Sequence, residues 1–319
     1  VVIILVAALA VRLLHDRGQS GASSPIASSQ SPLDEGIRLH AQHRLEDASH
    51  AFEQAAATHP SDPVPLNWLG TIAVEEDHTE QALDYFHRSL EINPNDADIW
   101  RACGQLFQRR GDSAAAVRAF THAVQINPKD AAALAGLGMA ERGRNLRARG
   151  LADLIRAGQM DPANVRIQTD LGSAALDDGK LALAQKSYAA AIALKPQDPL
   201  ALLGTARVSM QMDPSPTTLA HAREQIDAAM SDGGDFATAY LARGQWNLLE
   251  KQYPDAVKDL NEALAKDAML STAHAYLSQA YAAMGKPALA RDESAKYLKA
   301  YAGEKSAQQA LTGEHAPAH

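Results

Sequence analysis

The segment Ala97–Asp130, ADIWRACGQLFQRRGDSAAAVRAFTHAVQINPKD, decides how the rest of the chain is read. In its first half Trp100, Cys103, Leu106 and Phe107 recur at three and four residues, the apolar stripe of a 3.6-period helix. Gly111-Asp112 interrupts that stripe. In its second half Ala116, Phe120, Ala123, Val124 and Ile126 form another, which Asn127-Pro128 stops. Two short helices joined by a tight turn leave one side of the hairpin apolar. Such a unit cannot bury that side alone and requires neighbours.

The chain supplies them at a constant spacing. Pro60, Pro94, Pro128, Pro162 and Pro196 follow one another every 34 residues, and Gly36, Gly70, Gly104, Gly138 and Gly172 lie 24 residues before them. Ala48, Ala82, Ala116 and Ala184 precede the prolines by 12, with Gly150 in the fourth slot. Phe52, Phe86, Phe120 and Tyr188 precede them by 8, with Leu154 in the fourth slot. Chance does not align four columns over five repeats. On these columns the chain resembles the tetratricopeptide repeat (TPR) family over about residues 29–302. The resemblance implies an all-α, right-handed superhelical solenoid of about eight helix-turn-helix repeats. The physical reading of the columns is close helix approach at glycine and alanine, an aromatic wedge between hairpins, and a proline stop.

Bulk composition agrees. At 319 residues the chain exceeds one ordinary compact core, a limit that a solenoid escapes because each unit touches only its neighbours. The 38 acidic against 30 basic side chains, a formal net charge of −8, lack the basic footprint of a general nucleic-acid binder. Cys103 is the single cysteine, so there is no disulfide framework and no cysteine metal site.

Residues 1–14, VVIILVAALAVRLL, form an apolar run broken only by Arg12. Fourteen residues fall short of the roughly 20 that span a bilayer. The chain starts with Val rather than Met, and a longer span continuing upstream is the expectation. A membrane anchor over 1–17 is the leading reading; a signal-peptide core and a buried helix of the domain are the alternatives. Residues 18–32, rich in Ser, Gly and Pro, read as a flexible linker. A short anchor and such a linker point to a single-pass protein with its solenoid in a bacterial periplasm.

Repeat boundaries follow at about 29–62, 63–96, 97–130, 131–164, 165–198, 199–236, 237–270 and 271–302. Helices of the first repeat are expected near 33–43 and 46–58. Repeat six drifts: with Ala222, Ile226 and Ala229 in the packing columns, the connection at Asp213-Pro214-Ser215-Pro216 is about four residues longer, and Gly233-Gly234 replaces the terminal proline. Gly244, Ala256, Leu260 and Ala263 restore the register. A polar-faced capping helix is expected at about 287–302 and a frayed tail over 303–319.

Chemistry is scarce. Gly136-Leu137-Gly138 with Gly143 has the wrong spacing for a dinucleotide loop and falls inside a helix. His40 and His43 lie three apart with His50 across a turn, and solvent exposure is expected of them rather than metal ligation. Glu75-Glu76-Asp77 and Asp177-Asp178 occupy turns, where solvation accounts for them. No nucleophile with a base recurs, so no enzyme, no cofactor and no metal are expected.

What the resemblance implies instead is a ligand surface on the first helix of each hairpin, at positions two, five, nine and twelve. These are Asp98, Arg101, Gln105 and Gln108 in repeat three; Ala135, Met139 and Arg142 in repeat four; and Arg166, Thr169 and Ser173 in repeat five. Repeat six contributes Leu200, Leu203, Arg207 and Met210, and repeats seven and eight Leu241, Gln245 and Gln279. Arginines, amides and methionines suit an extended or helical peptide. The Lys/Asn carboxylate clamp of some cytosolic relatives is not matched, since Asn67 stands alone and Leu33 takes the place of the clamp lysine. The expected role is a membrane-tethered scaffold for subunits of a membrane or envelope assembly. A periplasmic assembly chaperone and an accessory subunit of polysaccharide secretion are the rival roles.

Overall fold

The computed structural model describes residues 31–231, 236–268 and 270–312, with side chains as far as residue 299. The expected anchor and most of the linker, and Gly233-Gly234, lie outside the described residues. Every regular element among the described residues is an α-helix, and the sixteen helices pair in chain order. The hairpins are α1 (Pro32–Ala41) with α2 (Leu45–Thr58), α3 (Val64–Glu75) with α4 (Thr79–Ile92), and α5 (Ala97–Arg109) with α6 (Ser113–Ile126). Next come α7 (Ala131–Gly143) with α8 (Arg147–Met160), α9 (Val165–Asp177) with α10 (Leu181–Leu194), and α11 (Pro199–Met212) with α12 (Pro216–Ser231). The last are α13 (Ala237–Leu249) with α14 (Tyr253–Lys266), and α15 (Ser271–Ala283) with α16 (Pro287–Thr312). Odd-numbered helices are the first of each pair.

Local signals place these ends. A side-chain carboxylate or amide at Asp62, Asp96, Asp130, Asn164 and Asp198 accepts a backbone N–H two or three residues on, and so starts each odd helix from α3 to α11. This cap column has the same 34-residue spacing as the prolines. Even helices α2 to α10 stop two residues before their proline. Within the hairpins, the turn residue adopts the left-handed conformation at His43, Asp77, Gly111, Asn145, Gly179, Lys251 and Gly285, with φ between 58° and 74°. The sixth hairpin has no such residue. Its longer connection is held instead by Asp213, whose carboxylate accepts from the Ser215 hydroxyl at 3.0 Å and its amide at 3.2 Å.

The chain divides into two compact units, one ending at Gly136 and the other starting at Leu137. The core of the first unit is an aromatic series. Phe52, Phe86 and Phe120 are fully buried, and Phe52 stacks on Trp68 at a centroid distance of 5.4 Å. A Cβ on Gly104 would lie 2.8 Å from the Phe120 ring, and one on Gly136 would lie 2.5 Å from it. Most column glycines therefore make room for an aromatic ring and not for a second backbone, which corrects the expectation of direct backbone approach. The second unit holds the exception. Leu154 replaces the aromatic ring there, and α7 and α8 close in until a Cβ on Gly138 would be 2.6 Å from the Gly150 carbonyl oxygen. Its core continues through Tyr188, Ile226 and Leu260, with Ala222, Ala229, Ala256 and Ala263 sealed in the packing columns as expected.

Two further expectations change. Ile126 ends the stripe of α6 but is 36% exposed, because it lies past the last turn that packs inward. The helix α16 runs on to Thr312, past the end expected for the capping helix at about 302. Glu, Lys, Ala, Gln and Leu over that stretch are strong helix formers and carry the helix across Gly303.

Candidate surface for a polypeptide partner

The positions expected to line a ligand surface separate into three groups once the helices are in place. The first group is spent on internal pairing. In the first unit, Arg101 is 2.8 Å from Asp98 and 3.1 Å from Asp130, while Gln108 donates to the Gly136 carbonyl at 3.2 Å. In the second unit, Arg142 pairs with Asp178 at 3.0 Å, and Arg166 donates through Nε to both Asp170 oxygens at 2.9 Å. The Arg142 side chain is only 10% exposed. It is a structural ion pair and not a free ligand contact, which corrects the expectation for this residue.

The second group packs. Thr169, Leu203, Met210 and Leu241 are buried, as is Ala135 in the first unit. In the second unit α11 packs against both α9 and α13, so register positions expected to face a groove fill the space between neighbours. Thr169 satisfies its hydroxyl on the Arg166 carbonyl at 2.9 Å.

The third group is available or unsatisfied. Gln105, Met139 and Ser173 are half-buried, and Leu200 and Gln279 are exposed. Arg207 and Gln245 are buried, yet Arg207 Nε and Gln245 Oε1 have no hydrogen-bond partner among the described residues. The charge of Arg207 acts on the hydroxyl of Tyr188. Burial pushes that hydroxyl up to about 12, against the opposing pull of Arg207 and with Ser173 next to it. Tyr188 occupies the column filled elsewhere by Phe or Leu, and its ring lies against both Gly172 and Gly204. A tyrosine in an otherwise apolar column is the signal in the sequence that points to this spot.

Turn acids and histidines also differ from expectation. Asp178 is not solvated: it accepts from Arg142 and, at 2.8 Å, from Arg147 Nε. Glu75 is 3.0 Å from His40, whose ring lies 5.0 Å from that of Trp68. His40 is therefore tucked between a carboxylate and an indole, whereas His43 and His50 are exposed as expected. Asn67 is buried and accepts from the Ser89 hydroxyl, and Leu33 belongs to the core. Among the described residues no group of three or more His, Cys, Asp or Glu could hold a metal ion. Burial pushes the Cys103 thiol up to about 12, which leaves it a poor nucleophile.

Glu141, in the part of α7 that belongs to the second unit, was not singled out by its sequence. Its side chain is fully buried, 2.6 Å from Arg149 Nε. Burial raises its carboxyl to about 7; Arg149 opposes the shift and the nearby Asp153 adds to it. A raised folded pKa favours the protonated form in the folded state, so the contribution is fully present below the unfolded value of 4.5 and fades as pH rises through about 7. The melting temperature is expected to fall between pH 4.5 and 7 in the native chain, and that slope is expected to flatten in Glu141→Gln. Parallel pH profiles for the two proteins, followed by circular dichroism, would refute it.

A cavity of about 390 Å³ between α11 and α12 is lined by Thr205, Ser209, Thr218, His221, Glu224 and Gln225. The Thr205 and Ser209 hydroxyls are spent on helix carbonyls, at 2.8 and 2.9 Å.

Comparison with known proteins adds the relations of the whole chain. Family models described as tetratricopeptide repeat match residues 33–97, 69–136 and 169–211. Over 75 residues the chain is 33% identical to protein arginine N-methyltransferase 9 of Mus musculus, spanning 22% of this chain and 9% of that protein. Over 77 residues it is 30% identical to cellulose synthase 2 operon protein C of Komagataeibacter xylinus, spanning 24% of this chain and 6% of that protein. The matches thus cover less than a tenth of the length of these relatives. The crystal structure of a tetratricopeptide repeat protein from Parabacteroides merdae ATCC 43184 superposes with a TM-score of 0.59 at 17% identity, covering 78% of this chain and 97% of that one. At that identity the likeness concerns the fold.

Proposed function

The chain belongs to the tetratricopeptide repeat family, and from that premise we propose that it is a non-catalytic scaffold that holds polypeptide partners of a membrane or envelope assembly. The observation that carries the reading is the odd-helix face of the second unit, where Arg207 and Gln245 keep polar atoms that the fold leaves unpaired among the described residues. Trp68 Nε1, Arg101 Nε and the Glu141 oxygens are likewise sealed without a hydrogen bond, but in the second unit Arg207 and Gln245 stand at the same register of neighbouring odd helices, where such atoms cost free energy that a bound polypeptide would offset. Residues 1–17, with their apolar run over 1–14, would hold the scaffold at a bilayer, with the repeats on the periplasmic side, and tethering would raise the effective concentration of any partner in the same membrane. Among the described residues no helix is long and apolar enough to cross a membrane.

The accessory role in envelope polysaccharide synthesis draws support from the 77-residue match to the cellulose synthase operon protein. An assembly chaperone remains the rival, and the two differ in stoichiometry. Affinity purification of the full chain from membranes in mild detergent is expected to recover one or a few polypeptides in fixed ratio that resist washing with high salt. A changing, substoichiometric set of clients would support the chaperone instead. Recovery of the chain alone, or turnover of a substrate by it, would overturn the scaffold reading.

A further inference from the structure

The solvent-exposed faces of the even helices carry charge of opposite sign in the two units. In the first unit, α2 and α4 expose Glu46, Asp47, Glu53, Glu80, Asp84 and Glu91, and Arg88 is the only exposed Lys or Arg on these two helices. Among the described residues Glu53 and Glu91 are met by the exposed His50 and His87, each at 3.6 Å. Asp47 and Glu80 pair with the exposed Arg44 and Arg110, and such surface pairs exchange readily. In the second unit, α8 exposes Arg149 and Arg156, and α10 exposes Lys186, with exposed Lys180 just before it and Lys195 just after. No Asp or Glu lies on α10, and Asp153 of α8 is half-buried against Arg156.

Form follows sign on both faces. In the first unit a cavity of about 360 Å³ is lined by α2, α3 and α4: Ala56, Leu66, Leu69 and Tyr85 give it an apolar wall, and the exposed Glu53 and Arg88 also border it. In the second unit Met160 and Leu194, the last residues of α8 and α10, are 40% and 45% exposed, and Lys195 follows Leu194 directly. Apolar area left in water is worth about 25 cal/mol per Å² to whatever covers it. A negative face that holds an apolar cleft and a positive face that carries projecting apolar side chains are complementary. They are different surfaces of one chain, so a contact between copies through them is heterologous and can repeat. An anionic bilayer would engage the basic face alone, whereas a second copy engages both.

We propose that this chain self-associates head to tail. The basic α8 and α10 face of one copy docks on the acidic α2 and α4 face of the next, Leu194 entering the cleft while Lys186 and Lys195 meet the acids around it. The contact uses neither the apolar leader nor the odd-helix face, so it goes beyond capture of another polypeptide. It would give a tethered scaffold several copies of each partner site in one assembly, with the avidity that follows.

The test is sedimentation velocity of the full chain in mild detergent over a range of concentrations, at low and at high salt. The wild type is expected to grow past a dimer as concentration rises and to return to single copies at high salt. Two double variants, Lys186→Glu with Lys195→Glu and Glu53→Lys with Glu91→Lys, are each expected to associate roughly tenfold more weakly or worse. Their melting temperatures are expected to match the wild type, because all four side chains are exposed. An equimolar mixture of the two is expected to associate again, since one keeps the native acidic face and the other the native basic face. Leu194→Ser is expected to weaken association with every charge intact. A wild type that stays monomeric, association that both double variants retain, or a mixture no more associated than its parts would overturn the proposal. A monomeric wild type whose binding to vesicles containing phosphatidylglycerol falls in the lysine variant would give the basic face to a bilayer instead. None of these results bears on recovery of a different polypeptide from membranes, so the scaffold reading stands or falls separately.

Discussion

Gly150→Ala is expected to destabilise the second unit by about 2 kcal/mol, although alanine is the better helix former. A Cβ at this position would fall inside contact distance of the Gly138 carbonyl oxygen and 2.7 Å from Arg142 Cγ. The first obstacle is backbone, which cannot rotate away as a side chain can. Relief of helix entropy contributes about 1 kcal/mol in favour of alanine, and overpacking costs about 1–3 kcal/mol or more, so the clash decides the sign. The measurement is the midpoint of urea unfolding with an unchanged slope. A midpoint equal to or above that of the wild type would mean that α7 and α8 are further apart than described. Gly104→Ala makes the useful comparison, because there the new methyl meets the Phe120 ring and not a carbonyl.

Asp178→Ala is expected to cost about 3 kcal/mol or more, since it strands a buried arginine. The carboxylate, 12% exposed, joins Arg142 on one oxygen and Arg147 on the other, and Arg147 also donates to the Asp177 carbonyl at 2.7 Å. Removing the acid leaves the Arg142 guanidinium, 10% exposed, without its principal partner. Pairing the change with Arg142→Met should recover part of the loss, because the stranded charge is then gone as well. Thermal melts of the single and double variants decide it. A single variant within about 0.5 kcal/mol of wild type would return Asp178 to the class of solvated turn residues that its sequence suggests.

That contrast shows where the sequence was informative. Repeat spacing, hairpin order and the aromatic and alanine columns are local or periodic properties, and helices fell where Gly, Asn-Pro and the stripes put them. The cap column at Asp62, Asp96, Asp130, Asn164 and Asp198 was equally legible and simply lies beside the prolines that drew attention first. Pairing was not legible. Arg142 and Asp178 are 36 residues apart, and His40 and Glu75 are 35 apart; nothing in either neighbourhood states that they meet. Periodicity likewise assigned Leu203, Met210 and Leu241 to a lining face, but close neighbouring helices cover them. For Arg207 the register located the residue, while its lack of a partner emerged only from the assembled helices.

The Asp213–Ser215 connection in the sixth hairpin has an evolutionary consequence. It carries extra length and folds on its own hydrogen bonds, yet Ala222, Ile226 and Ala229 return to their packing places immediately afterwards. In a stack where each module contacts only the next, an insertion at a hairpin tip is absorbed locally and leaves downstream modules unaltered. Descendants of this chain can therefore lengthen or diversify at that tip without relearning how to fold.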